Sequence, residues 1–276
     1  MDFFKDLDFV TEEDKSFMND FFQKSHKAFL EKINMTEQEY QEQCAPYLEE
    51  ASRISEIIKA EKERAEALQS DLAAKAVREE RSRGGETIHR GFYCPSLIAD
   101  IVIGNCKRGS LCKEDHPKAI YTHYFDGDDR HIATKQGDSG IESTEYILHS
   151  DNKSLGIMFD EDDQIVTVAE CEYDGNGRII QYIYALCDST KNAVVQCDKE
   201  LYTYSGDKVI VDTSSLLCAA SPVILTLNKY VFQIEAGYLK SYTLEVFQSE
   251  DISHEPLDSR TYQVKIKRKI PQINQS

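Results

Sequence analysis

The chain contains no run of 18 or more apolar residues, the length a helix needs to cross a bilayer, so a membrane-spanning helix is not expected. Basic charge is also scarce. Against 49 Asp and Glu there are 32 Lys and Arg, leaving a formal net charge of −17. So acidic a surface repels a phosphate backbone and gains no counterion release on meeting it, which argues against nucleic acid as the main ligand. Only the stretch around residues 84–118 escapes the acidity. The N-terminus, Met1-Asp-Phe-Phe-Lys-Asp-Leu-Asp8, is acidic where a signal peptide is basic, so the expected compartment is intracellular, by default the cytoplasm. Also missing are a glycine-rich phosphate loop, a His-Glu-x-x-His helix and a dinucleotide fingerprint, which removes the sequence signatures of three large enzyme classes.

What is present suffices for a folded core. The 276 residues are 41% hydrophobic and 10% aromatic, room for one large or two modest domains. Eight cysteines would suit four disulfides in an exported domain, but no export signal is visible. Five of them lie scattered through apolar stretches and read as reduced, buried thiols.

The N-terminal third has helical grammar. Thr11-Glu-Glu-Asp14 and Thr36-Glu-Gln-Glu39 are capping boxes, and the helix after the first would bury Phe17, Phe21, Ala28, Phe29 and Ile33. The second helix should break or kink at Pro46, where a donor is lost and the ring clashes with the preceding turn. From Tyr47 to about Arg83, Tyr47, Ala51, Ile54, Ile58, Glu61, Ala65, Leu68 and Leu72 alternate steps of four and three. That is a coiled-coil seam, packing either back on the first helix or against a second copy of the chain. Gly84-Gly85 would end it.

After Pro117 β-branched and aromatic runs alternate with turn clusters, as in an antiparallel meander. Hairpins are expected over 121–132, 171–182, 201–211 and 232–242, each with a turn pair that accommodates positive φ. The second contains Tyr173-Asp-Gly-Asn-Gly-Arg-Ile179, which resembles a YD repeat. That resemblance implies hairpin strands in a continuing sheet and no particular chemistry.

The densest chemical signal runs from Cys94 to His116. Cys94, Cys106, Cys112 and His116 end in the spacing Cys-x5-Cys-x3-His and together offer four ligands for a tetrahedral zinc. The run Gly104-Asn-Cys106-Lys-Arg-Gly109-Ser-Leu-Cys112-Lys-Glu-Asp-His116 resembles a CCCH-type zinc finger. The resemblance implies a metal-held fold and, in many members, single-stranded RNA stacked on aromatic residues. Phe92, Tyr93, Arg90, Lys107, Arg108 and Lys113 would be the contacts here. However, Leu97 to Ile103 reads as buried structure, and Glu114 stands where an aromatic commonly sits.

Three weaker patterns have simpler readings. Gly137-Asp-Ser-Gly140 resembles the nucleophile loop of chymotrypsin-like proteases, but the chain upstream reads as helical, and such a loop is ordinary between strands. Asp126-Gly-Asp128 and Asp160-Glu-Asp162-Asp163 lack the glutamate of a calcium loop at its twelfth position and read as turn acids. His123 and His131 flank one hairpin and read as surface residues.

Together these features predict an α+β protein in three parts: a helical coiled-coil arm over 1–85, a CCCH zinc-finger-like element over 90–117 and an antiparallel β domain over 118–270. The preferred function is a non-catalytic interaction or scaffold protein with a structural zinc, engaging a protein partner or forming a homodimer through the coiled coil. An RNA-binding CCCH protein is the first alternative, and a hydrolase with a dispersed site the second.

Overall fold

Strands that must bury both faces need apolar or paired side chains at every position, and the centre of this chain supplies them. Within β8, Tyr182 and Ile183 are both buried although they point to opposite sides. The computed structural model describes residues 23–31, 34–85, 88–103, 108–113, 119–138, 141–220, 222–247 and 258–264. Among the described residues three helices come first: α1 (23–31), α2 (Glu37–Glu61) and α3 (Ala65–Lys75). A single antiparallel sheet of 13 strands follows, in the order β13-β12-β11-β10-β9-β8-β7-β6-β5-β4-β3-β1-β2.

The strands are β1 (Arg78–Arg83), β2 (Ser110–Cys112), β3 (Tyr121–Phe125), β4 (His131–Asp138), β5 (Ile141–Ser150), β6 (Lys153–Phe159) and β7 (Ile165–Tyr173). They continue as β8 (Ile179–Asp188), β9 (Ala193–Ser205), β10 (Lys208–Leu217), β11 (Ile224–Glu235), β12 (Tyr238–Phe247) and β13 (Asp258–Gln263). From β3 onward each strand pairs with the next in sequence, so the predicted meander is present and all four predicted hairpins form.

Turn chemistry explains the register. The β3–β4, β6–β7 and β7–β8 turns share one construction, in which Asp126, Asp160 or Asp174 accepts two backbone N–H groups through one carboxylate oxygen. Fourth in each turn comes a residue of positive φ: Asp129, Asp163 or Gly177. Each turn follows a register shift at an aromatic residue: Phe125, Phe159 or Tyr173. The acids of the two calcium-like runs thus include the organisers of hairpin turns.

The coiled-coil arm is not seen, which corrects the predicted fold class. Helix α2 runs through Pro46 without ending, because Tyr40, Cys44, Ala51, Ile54 and Ile58 pack on the sheet and that burial outweighs one lost hydrogen bond. Tyr40 Oη accepts from Leu225 N at 2.9 Å, Arg53 Nη1 donates to Glu170 at 3.0 Å, and Lys199 Nζ reaches Glu50 at 3.3 Å. The seam residues Ile54, Ile58, Ala65 and Leu68 therefore cover β-strands and not another helix. Beyond Lys75 the chain turns extended: Arg78–Arg83 pairs with both β2 and β3, a non-local pairing that overrides the local helical pattern. Of the first predicted helix, Ala28 is exposed and Phe29 half-buried. The Thr11 capping box, Phe17, Phe21 and Ile33 lie outside the described residues.

No described helix is long and apolar enough to cross a membrane. The helices form one layer on the sheet. Residues 88–103, here called the strap, lie along the opposite face.

Candidate functional site

The strap is positioned by its own backbone. Arg90 and Gly91 adopt successive positive φ angles of 58° and 49°, turning the chain into a 3-10 turn, Gly91–Tyr93. At Gly91 a side chain is excluded, since a Cβ would lie 2.7 Å from the Tyr121 ring. Further on, a single π-helical turn, Ile98–Ile103, packs Leu97, Ile98 and Ile101 against Cys171, Tyr182, Tyr202 and Phe232. Tyr121 closes the start by donating to the carbonyls of Gly85 and Ile88.

One buried ion pair fastens the strap to the middle of the sheet. Arg90 Nε donates to both oxygens of Glu145, at 3.0 and 2.9 Å, and Nη2 donates to Oε1 at 2.6 Å. The two side chains are 4% and 1% exposed, so this pair is screened from solvent. His89 Nε2 lies 2.9 Å from Glu145 Oε2, off the line of a hydrogen bond, while its Nδ1 is 2.7 Å from Tyr182 Oη. Burial alone would raise the Glu145 carboxyl; Arg90 first and then His89 hold it far below the usual range. Burial pushes His89 down despite Glu145.

A second polar cluster lies under Tyr93. His123 Nε2 is 3.0 Å from Ser82 Oγ, and His131 Nε2 is 2.8 Å from Thr134 Oγ1. Tyr93 rests on both rings, with centroids at 4.8 and 5.2 Å, and donates to Glu80. The sequence reading of these histidines as surface residues is overturned: strands β3 and β4 turn both toward the strap. Burial pushes His123 down to about 4 and His131 well below its ordinary value.

Beyond Ile98 the strap leaves a cleft of about 280 Å³ over β8–β11, walled by Ile98, Ala99 and Ile103. Cross-strand register lays its floor in two rows: Tyr182, Glu200, Thr213 and Asn228, then Tyr184, Asp198 and Ser215. Gln196 Nε2 donates to both oxygens of Asp198 at 3.0 Å and contacts Ser215 Oγ at 3.3 Å. Glu200 is 6% exposed; it accepts from Ser96 Oγ at 2.6 Å and from the Tyr202 hydroxyl, whose oxygen in turn accepts from Leu97 N at 3.0 Å. Burial outweighs those donors and lifts the Glu200 carboxyl to about 7.

These shifts have opposite signs with pH. The buried histidines stay neutral when folded and take protons more readily unfolded, so stability falls as pH drops from about 6.5 toward about 4. Glu200 contributes most below about 4.5, and its contribution is lost as pH rises through about 7. Relative to the native protein, Glu200→Gln should therefore gain stability between pH 5 and pH 8, by about 3 kcal/mol at most. Denaturant titrations at both pH values measure it; an equal difference at the two would refute the assignment.

The structure places the sequence candidates as follows. Cys94 is buried in the strap, its Sγ 3.5 Å from Ser96 O. Cys112 ends β2 opposite Arg81, one residue out of phase with Ser82 and Leu111, whose face is the strap side. Cys94 and Cys112 thus lie on opposite faces of the sheet. Cys106, Lys107 and His116 lie outside the described residues, as do Ser139 and Gly140 of the protease-like loop. No group of three metal-ligating side chains occurs among the described residues. If these two thiols share no metal, the zinc content of purified protein is expected to be the same before and after Cys112→Ser. Loss of zinc with that change would restore the four-ligand site.

Among the RNA candidates, Arg90 is buried on Glu145 and Tyr93 packs within the fold. Arg108 stacks over half-buried Phe92 at 4.8 Å and lies 3.8 Å from Asp100, while Lys113 is exposed. Sequence reasoning missed His89, Glu145, Asp198 and Glu200. A visible signal existed for Glu145, which interrupts a run otherwise rich in strand-forming residues. No family model, curated protein or solved structure matches this chain.

Proposed function

We propose that this chain is a non-catalytic recognition protein: a sheet scaffold, stiffened by helices on one face and the strap on the other, that presents a partner-binding surface. The observation carrying this reading is the buried fork of Arg90 on Glu145, which assigns the most basic part of the strap to folding. Tyr93, set on His123 and His131, serves the same end. An RNA-binding finger needs free aromatic faces beside free cations, and Arg90 and Tyr93 are already engaged within the protein.

Titration with a fluorescent oligouridylate at 50 and 200 mM salt tests the choice. No measurable binding is expected at either salt concentration. Binding that weakens steeply with salt and is lost on Arg108→Ala would reverse the order of the two readings.

A further inference from the structure

We propose that the cleft beside the strap binds a small alkyl cation, an ammonium or guanidinium compound, seated among Tyr182, Tyr184 and Tyr230 with its charge toward Asp198. This rests on the recognition reading and names its ligand class. The space, about 280 Å³, suits a small molecule, and it combines aromatic walls with a few convergent polar groups.

Charge decides between a cation and a neutral polyol. Asp198 and Glu200 point into the same face of β9, and no cationic side chain among the described residues pairs with either. Lys199, between them in sequence, sends its ammonium to Glu50 on the helix side. The partners they do have, Gln196, Ser96 and Tyr202, are neutral donors. Tyrosine rings present electron-rich faces that attract a cation, and the net charge of −17 raises the local concentration of any cation around the whole protein. Ile98 and Ile103 provide an apolar wall for an alkyl stem, with Ile103 70% exposed at the rim. A hydroxylated ligand would use Thr213 and Ser215 but would leave the Asp198 carboxylate without a counter-charge.

Calorimetric titration of the full chain with agmatine, using 1,4-butanediol as the neutral control, tests the site. Agmatine is expected to bind with an affinity that falls as salt rises, and butanediol not to bind. Asp198→Asn should weaken agmatine at least tenfold, and Ser215→Leu, which fills the floor, should abolish binding. Glu63→Gln, removing an exposed acid elsewhere, should change nothing, and thermal unfolding checks that each variant folds. Equal binding of butanediol, equal behaviour of Asp198→Asn and Glu63→Gln, or no agmatine binding would each overturn the proposal. None of these touches the recognition reading, which the oligouridylate titration tests separately.

Discussion

Replacing Arg90 with methionine is expected to cost about 3–5 kcal/mol of stability, because it leaves the Glu145 carboxylate buried without its partner. For a chain of this size that corresponds to a fall of about 6–20 °C in the thermal midpoint. The deficit should depend on pH with a defined sign. In the native protein Glu145 has its carboxyl held down, so its contribution is present above about 4.5 and is lost as pH falls through the folded value. Without Arg90 the same burial raises that carboxyl, and protonation relieves it. The variant should therefore lie closer to the native protein at pH 5 than at pH 8. Denaturant titrations at the two pH values measure this, and a deficit under 1 kcal/mol would show that the pair does not hold the strap.

Gly156→Ala is expected to be nearly as damaging, although it adds one methyl group. The new Cβ would stand 1.8 Å from Glu145 Oε1 and 2.4 Å from Arg90 Nη2, so the ion pair must move. Overpacking a core costs about 1–3 kcal/mol, and displacing a buried pair adds to that, for a total of about 3 kcal/mol or more. The control is Gly175→Ala, where nothing lies within 4 Å of the added atom and the change should stay within about 0.5 kcal/mol. Equal stability of the two alanine variants would mean that β6 leaves room under the pair.

The difference between these glycines also shows what sequence could and could not reveal. Gly175 belongs to a local turn pattern, Asp174 to Arg178, whose hydrogen bonds close within five residues; such hairpins were legible. Gly156 matters only because Glu145 and Arg90 meet above it, from positions 55 residues apart, and no local pattern encodes that meeting. The coiled-coil seam failed for the same reason. Ile54 and Ile58 do form the apolar stripe of a helix, but a stripe does not say whether it meets a helix or a sheet. In β1 the highly charged Arg78–Arg83 looked helical, yet its neighbours Tyr121–Phe125 and Ser110–Cys112 draw it into the sheet. At the cleft, Asp198 and Glu200 read as ordinary strand acids until β8 and β10 set Tyr182, Tyr184 and Ser215 beside them.

The use of the strap for folding is measured most directly by a double-mutant cycle of Arg90→Met and Glu145→Leu, read by denaturant unfolding. Each single change strands a buried charge or its space, whereas the double change replaces the pair with apolar groups. The double variant is expected to be at least about 2 kcal/mol more stable than the sum of the single losses implies. Losses that add within about 0.5 kcal/mol would contradict it, and with it the assignment of Arg90 to the fold.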